Sequence, residues 1–128
     1  MSLNKTQRNK LKKLLHQLVV VRDKKCLRCG RIKPLNASHI YPKGVYKDLE
    51  FEPWNLKALC FHCHIFWWHK DVLEASRWFK QVYPDRYKKV QRLYNKSNKV
   101  GKVKVKKVYD FDKIRSKLER QIKKCLKD

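Results

Sequence analysis

The sequence predicts an α+β fold in which a β-β-α segment lies between helices at both ends. Two Cys-x-x-Cys pairs, at residues 26–29 and 60–63, bracket a stretch that reads as two short strands separated by a loop containing proline and glycine. Apolar residues recur at helical spacing before and after this stretch, which predicts the flanking helices. The chain has 128 residues, of which 42% are hydrophobic, and this favours a single domain with a modest core.

Residues 1–23 predict an N-terminal amphipathic helix. Asn4 and Gln7 have the spacing of a capping box, in which each side chain accepts a hydrogen bond from the other residue's backbone. The predicted buried face comprises Leu11, Leu14, Leu15, Leu18 and Val19.

Residues 24–70 predict the β-β-α core. Gly30, directly after the second cysteine, permits the tight turn that such a pair needs. Strands are predicted over 34–41 and 56–59, and a short helix over 60–69 carries the second cysteine pair at its beginning.

Residues 71–96 predict two helices that support this core. Asp71 and Glu74 suggest a second capping box at the start of the first helix, and Pro84 can end that helix and begin the next. The second helix is predicted to carry an apolar stripe of Tyr87, Val90 and Tyr94.

Residues 97–128 predict a basic strand followed by an amphipathic helix. Lysine and valine alternate over 99–108, which indicates either a DNA-contacting ribbon or a solvated edge strand. The final helix has an apolar stripe of Phe111, Ile114, Leu118 and Ile122, which could fold back on the core or pair with a second subunit. Whether the protein is a monomer or a homodimer therefore stays open.

The charge of the chain predicts a polyanionic partner. It has 34 Lys+Arg against 11 Asp+Glu, a formal net charge of +23. Nucleic acid is the expected ligand, because basic side chains that neutralise phosphates release counterions. A membrane is disfavoured because no apolar run approaches the ~20 residues of a spanning helix and no secretory segment is recognisable. We therefore expect a cytoplasmic protein.

The cysteines predict a structural zinc site. Thiolates in two Cys-x-x-Cys pairs can bind one Zn²⁺ tetrahedrally, and a site closed by four protein ligands is structural. Disulfides would be the alternative in an oxidising compartment. The predicted ligands are Cys26, Cys29, Cys60 and Cys63, and Cys125 is left as an idle or buried thiol.

The motif within residues 26–70 resembles a known family of nucleases. Ser38-His39-Ile40 is followed by Asn55, then by the second cysteine pair, and directly by His64. This order is similar to that of the HNH or ββα-metal endonucleases braced by two Cys-x-x-Cys pairs, and most similar to phage recombination nucleases of the Rap type. The resemblance implies hydrolysis of DNA to 5′-phosphate and 3′-hydroxyl ends, in a phage or its prokaryotic host.

The resemblance assigns a role to each motif residue. His39 is the expected general base, since a neutral imidazole with a pKa of ~6.5 suits that task at neutral pH. Its other ring nitrogen would be held by a backbone carbonyl, and Asn55 would position the loop that orients it. His64 points about 100° away from Cys63 around a helix, so it can bind a catalytic divalent ion while the sulfur binds zinc. That ion could be Mg²⁺, Mn²⁺, Ni²⁺ or Zn²⁺.

One position departs from the family pattern. Many relatives have Asp or His directly before the base as a metal ligand, whereas this chain has Ser38, a weak ligand. His69 could complete the site only if the helix ends or distorts after His64. His62 is a less favoured candidate, and the acidic alternatives are Asp48, Glu50 and Glu52.

Two further alternatives stay open at this point. Aromatic residues crowd the middle of the chain, and we expect core packing rather than base stacking because Phe61, Ile65 and Trp68 recur at helical spacing. A zinc-stabilised module that binds nucleic acid without cutting it would have the same charge and cysteines. RNA is not excluded as the substrate.

Overall fold

The computed structural model describes residues 3–44, 46–98 and 109–127. The elements in chain order are α1 (Lys5–Asp23), β1 (Leu35–His39), β2 (Leu56–Cys60), a π-helical segment (Cys63–Trp68), α2 (Val72–Val82), α3 (Pro84–Asn98) and α4 (Phe111–Lys127). This arrangement confirms the predicted α+β class. The basic strand predicted over 99–108 lies outside the described residues.

Helix α1 begins and packs as its sequence predicts. The Asn4 side chain accepts from the Gln7 N–H at 2.8 Å, and the Gln7 side chain accepts from the Asn4 N–H at 3.1 Å, which confirms the capping box. The helix ends where Lys24 adopts the left-handed conformation, with φ of 69°. All five apolar residues of the predicted face are buried.

The two strands form an antiparallel hairpin with a defined register. Leu35 lies opposite Cys60, and His39 lies opposite Leu56. Strand β1 is shorter than the strand predicted over 34–41, and β2 extends one residue beyond the strand predicted over 56–59. Because side chains alternate across a strand, Ser38 and its partner Lys57 share one face of the sheet while His39 projects from the other. Two short 3-10 turns, Lys47–Leu49 and Pro53–Asn55, lie in the long connection between the strands.

Helix α4 folds back on α1 rather than standing free. Its Leu118 and Ile122 are buried, and Phe111 and Ile114 pack against the same core. Of the two predicted uses of this apolar stripe, the structure shows packing within the chain.

Helices α2 and α3 cover the remaining side of the core. Phe79 of α2 and Val90 of α3 are buried, and Tyr94 of α3 stacks on Tyr41 with ring centroids 4.7 Å apart. The capping box predicted at Asp71 is wrong, because the Asp71 side chain makes no capping bond. Its backbone instead continues from the π-helical segment, with its N–H donating to the Trp67 carbonyl at 2.8 Å.

No helix of the described residues is long and apolar enough to cross a membrane.

A buried aspartate joins three parts of the fold. The Asp23 side chain is fully buried at the end of α1, where it accepts hydrogen bonds from Arg22, from Arg86 of α3 and from the Ala58 N–H of β2. Burial by itself would raise the pKa of the Asp23 carboxyl, but the two guanidinium groups outweigh it and hold the pKa below its usual value. A charged Asp23 therefore stabilises the packing of α1 against β2 and α3.

We expect Asp23→Asn to lower the free energy of unfolding by about 2–3 kcal/mol at neutral pH, because it leaves buried donors without a charged acceptor. The folded pKa lies below the unfolded one, so the stabilisation is complete above the unfolded value of ~3.9 and is lost as the pH falls through the folded value. Urea unfolding at neutral pH and at acid pH measures both effects. Asp112→Asn, on an exposed carboxylate paired with Arg115, is the matched control and should change little. Equal stability of the two variants would contradict the assigned role.

Candidate functional site

The four predicted cysteines converge on one point. The Sγ atoms of Cys26, Cys29, Cys60 and Cys63 all lie within 4.8 Å of one another. Zinc–sulfur bonds of ~2.3 Å in a tetrahedron separate the sulfurs by about 3.8 Å. The Sγ atoms of Cys29 and Cys60 are 3.6 Å apart, which fits this geometry. The group can therefore hold a metal ion such as zinc, as predicted.

Local backbone geometry builds this cluster. Gly30 adopts a φ of 82°, a region that favours glycine, and its N–H donates to the Cys26 carbonyl at 2.9 Å. The Leu27 N–H donates to the Ala58 carbonyl of β2 at 3.0 Å, so the first cysteine pair is fastened to the strand that leads into the second. This bond connects two segments that are far apart in sequence.

The surroundings of the cluster affect the charge of its sulfurs. Burial raises the pKa of Cys63 to about 12, so a metal ion that binds this sulfur must displace its proton. Arg28 lies 3.7 Å from the Cys63 Sγ and over the Trp67 ring. Its positive charge offsets the excess negative charge of four thiolates on a divalent ion.

His39 stands at the end of β1 with one ring nitrogen held. Its Nε2 lies 3.0 Å from the Glu50 backbone carbonyl. A carbonyl only accepts, so Nε2 carries the proton and Nδ1 keeps its lone pair. Burial lowers the pKa of His39, with further lowering by the charges of Lys43 and Lys57, so the ring is neutral at neutral pH. A neutral, oriented imidazole can accept a proton.

Asn55 fastens the loop that carries this carbonyl. Its buried amide donates to the carbonyls of Tyr41 and Leu49 at 3.1 Å each, and its side-chain oxygen accepts from the Tyr41 N–H at 2.9 Å. The main chain adds a bond from the Ile40 N–H to the Asn55 carbonyl at 2.7 Å. Asn55 thus joins both ends of the connection between the strands and contacts the residue next to Glu50.

The π-helical segment brings two histidines together. One π turn spans about five residues, which is the separation of His64 and His69. Their Nε2 atoms lie 2.9 Å apart. Two imidazoles bound to one ion at ~2.1 Å have nitrogens about 3.0–3.4 Å apart, so a small shift would suit a shared ion. His69, expected to join only if the helix distorted, is placed beside His64 by that distortion.

Asn36 holds the other side of His64. Its side-chain amide lies 3.2 Å from the His64 Nδ1. Burial and the charges of His69, Lys57 and His39 lower the pKa of His64 to about 4, which keeps its ring neutral and able to bind a cation. A ligating histidine usually donates an N–H from its far nitrogen, so Asn36 would orient His64 for an ion by turning its side-chain oxygen, rather than its amide nitrogen, toward Nδ1. Asn36 was not predicted as a site residue.

His39, His64 and His69 line a single cleft of about 870 Å³. Its walls come from α1, from β1 and the loop after it, and from the segment that follows β2. Lys12 and Lys43 lie among its lining residues. His16 also lines it, with Nε2 3.0 Å from the Leu35 carbonyl. The cleft has room for a phosphate group near the histidines.

Other predicted donors lie elsewhere. Ser38 is buried and its hydroxyl accepts from Lys57 Nζ at 3.3 Å, and it does not line the cleft. Glu52 lies 3.7 Å from Lys117 on α4. Asp48 and His62 are not among the cleft residues. In the part of the chain that the structure describes, the cysteines are the one cluster of three or more potential metal ligands.

Glu50 supports His39 through its backbone rather than its carboxylate. Its nearly buried carboxylate accepts from Arg8 of α1 at 2.6 Å and from the Tyr109 hydroxyl at 3.1 Å. The Tyr109 hydroxyl is 2.8 Å from the Lys47 carbonyl. The two ends of the chain therefore hold the loop that orients His39. This network was missed because its members are far apart in sequence.

Lys57 is a buried lysine that sequence reasoning also missed. Its side chain is fully buried in β2, with Nζ 3.1 Å from the centroid of the Trp68 ring. Burial lowers the pKa of Lys57 well below its usual value, despite the opposing charge of Asp23. The side chain thus packs the hairpin against the π-helical segment.

Comparisons of the chain with protein-family models, with curated proteins and with solved structures gave no match. What the cleft can do chemically is therefore inferred from its own residues.

We expect Cys63→Ser to lose bound zinc and to unfold at least about 10 °C lower than the parent chain, because metal binding contributes directly to folding. Metal analysis of the purified protein and a thermal melt measure the two effects. Cys125→Ser removes a thiol outside the cluster and should keep both zinc and stability. Parent protein purified without zinc, or a Cys63→Ser variant that retains it, would show that the cluster is not a zinc site.

We expect Lys57→Met to leave the free energy of unfolding unchanged within about 1 kcal/mol or to raise it, because methionine fills the same space without a buried amine. Lys57→Ala should cost about 2–4 kcal/mol by leaving a cavity. Denaturant unfolding of both variants distinguishes packing from charge. If Lys57→Met were as unstable as Lys57→Ala, the ammonium over Trp68 would be a net source of stability instead.

Proposed function

We propose that this protein is an HNH-type, ββα-metal endonuclease that hydrolyses phosphodiester bonds in DNA with one divalent ion and a histidine general base. The observation that carries the proposal is that one cleft contains histidines in two different environments. The Nε2 of His39 is held by the Glu50 carbonyl, and the Nε2 of His64 lies next to that of His69. The first arrangement suits a base and the second suits a metal ligand.

His39 performs the proton transfer in this proposal. Its Nδ1 lone pair takes a proton from a water molecule as that water attacks phosphorus, and the bond from phosphorus to the 3′ oxygen breaks. The departing oxygen is protonated by solvent, which leaves 5′-phosphate and 3′-hydroxyl ends. Asn55 is a positioning residue, because it acts through the loop that holds Glu50.

His64 and His69 are the proposed ligands of the catalytic ion, with Asn36 orienting His64. Together they would hold a divalent ion, which would supply Lewis-acid stabilisation of charge on the phosphate and the leaving oxygen. Two neutral imidazoles without a carboxylate favour Mn²⁺, Ni²⁺ or Zn²⁺ over Mg²⁺, which prefers oxygen ligands. Water and phosphate oxygens would complete the coordination.

The charge distribution supports a nucleic-acid substrate. Lys12 and Lys43 lie on the cleft walls, and the chain has a net charge of +23. Such a surface attracts phosphates, so binding should weaken steeply with salt. The same charge also suits a module that binds nucleic acid without cutting it. Such a module does not need a neutral histidine base, His39, in the same cleft as the pair of His64 and His69.

We expect the parent chain to nick or cut supercoiled plasmid when Mn²⁺ or another divalent ion is added, and His39→Ala to reduce the rate by about 10²–10⁴-fold, the usual contribution of a general base. His64→Ala should lose activity as well. Agarose gels of the time course give the rates, and RNA of the same sequence tests the choice of sugar.

His62→Ala is the matched control, because this exposed histidine does not line the cleft, and it should keep the parent rate. Zinc content and thermal stability of each variant should equal those of the parent, so that lost activity reflects lost chemistry. Equal rates for the parent and His39→Ala would remove His39 as the base. Absence of cleavage on plasmid, branched DNA and RNA, with binding retained, would favour the non-catalytic module.

A further inference from the structure

Two exposed phenylalanine rings meet on the surface, and one of them, Phe61, lines the cleft. Phe61 is 54% exposed and Phe66 is 51% exposed, and among the described residues they are the aromatic members of the exposed large hydrophobic set. Their rings meet edge to face with centroids 6.2 Å apart. Phe61 lines the cleft together with His64. The prediction that Phe61 packs in the core is therefore wrong.

The π-helical segment explains why these rings face outward. Within the segment, Trp67 and Trp68 are both buried, whereas Phe66 is exposed. Burying two adjacent tryptophans fixes the rotation of the segment and leaves the remaining aromatic side chains to solvent. Within a few residues, the segment therefore places Cys63 in the cysteine cluster, His64 in the cleft and Phe66 on the surface.

The charges around the rings indicate what that ligand is. Lys70 Nζ lies 5.2 Å from the centroid of the Phe66 ring, and Lys12 and Lys43 lie on the cleft walls. An apolar surface with one lysine beside it and two more in the adjoining cleft matches a ligand that has flat apolar faces joined by anionic groups. Unpaired nucleobases connected by phosphates have this chemistry, because every base has a π face that can stack on an aromatic ring.

We propose that Phe61 and Phe66 form a stacking platform for unpaired bases, so that the cleft takes DNA that is single-stranded or unstacked beside the bound phosphate. In a continuous duplex each base face is covered by its neighbours, and only base edges and the backbone are accessible. A duplex therefore cannot use the platform unless its bases are unstacked, as at a branch, gap or frayed end. The link to cleavage rests on the proposed function, whereas the binding preference does not.

The test compares binding of a fluorescent single-stranded 20-mer with that of the matching duplex, both measured by anisotropy in a His39→Ala background that leaves the probe uncut. Phe61→Ala combined with Phe66→Ala should weaken single-strand binding at least about fivefold, the loss expected when stacking on an aromatic ring is removed. Duplex binding should stay unchanged. A strand whose central positions are abasic should bind the parent and the double variant equally.

Val82→Ala combined with Leu126→Ala is the matched control, because it truncates two side chains that are 51% and 65% exposed and do not line the cleft. It should not alter single-strand binding. Phe61→Trp combined with Phe66→Trp should restore the affinity that the alanine variant loses. Since both phenylalanines are half exposed, we expect each variant to melt at the parent temperature.

Equal losses for single strand, duplex and abasic strand would overturn the platform. A double variant that keeps the parent's affinity for single-stranded DNA would overturn it too. If that variant instead loses self-association in sedimentation, the rings form a protein interface. The proposed function fails separately. If the chain with His39 intact cuts no nucleic acid, but the double variant still loses single-strand affinity, the stacking platform is supported and the nuclease function is not.

Discussion

The convergence of four sulfur atoms is the constraint on which the rest of the site depends. It fastens the loop after α1 to the end of β2 and to the start of the π-helical segment. The chain passes from Cys63 directly to His64, so a sulfur that must face the cluster determines where the next side chain points. Moving the cluster would move the histidine pair. A small core needs a rigid connection to hold such an arrangement, and a metal ion bound by the four sulfurs would provide one.

The π-helical turn is the second determinant, and it marks the limit of reasoning from sequence periodicity. An α-helix with 3.6 residues per turn would bury Phe61, Ile65 and Trp68 on one face and turn His69 away from His64. In the structure Trp68 is buried as expected, but Phe61 is exposed and the rings of His64 and His69 are in contact. The sequence indicated that His69 could bind the same ion as His64 only if the helix was distorted. The cause of the distortion is tertiary packing, because two adjacent tryptophans are buried together, and no local sequence pattern predicts that.

Several local signals elsewhere predicted the structure well, although the capping box expected at Asp71 is absent. The capping box of α1, the glycine turn between the first cysteines and the apolar stripe of α4 each depend on neighbouring residues, and each was confirmed. The contacts of Asn55 with the loop, implied by resemblance alone, are present as hydrogen bonds. What could not be predicted is long-range: the clamp of Arg8 and Tyr109 on Glu50 requires both ends of the chain to meet in the fold. Two of the three acidic residues proposed as metal donors illustrate this, since Glu50 pairs with Arg8 and Glu52 with Lys117.

The position that departs from the family pattern has a physical counterpart in Lys57. A carboxylate at Ser38 would face Lys57 Nζ, and the serine instead accepts a single hydrogen bond from it. Lys12 and Lys43 line the cleft and, among the described residues, no carboxylate does, so the surroundings of the proposed ion are positive rather than negative. Under the proposed function, a divalent ion therefore gains little from the protein alone and much from the phosphate that accompanies it. Ion and substrate would bind cooperatively, because each supplies the charge that the other lacks. If the proposed function holds, a cleft that lacks carboxylate ligands among the described residues, in a chain of net charge +23, would be completed as an active site by its own substrate.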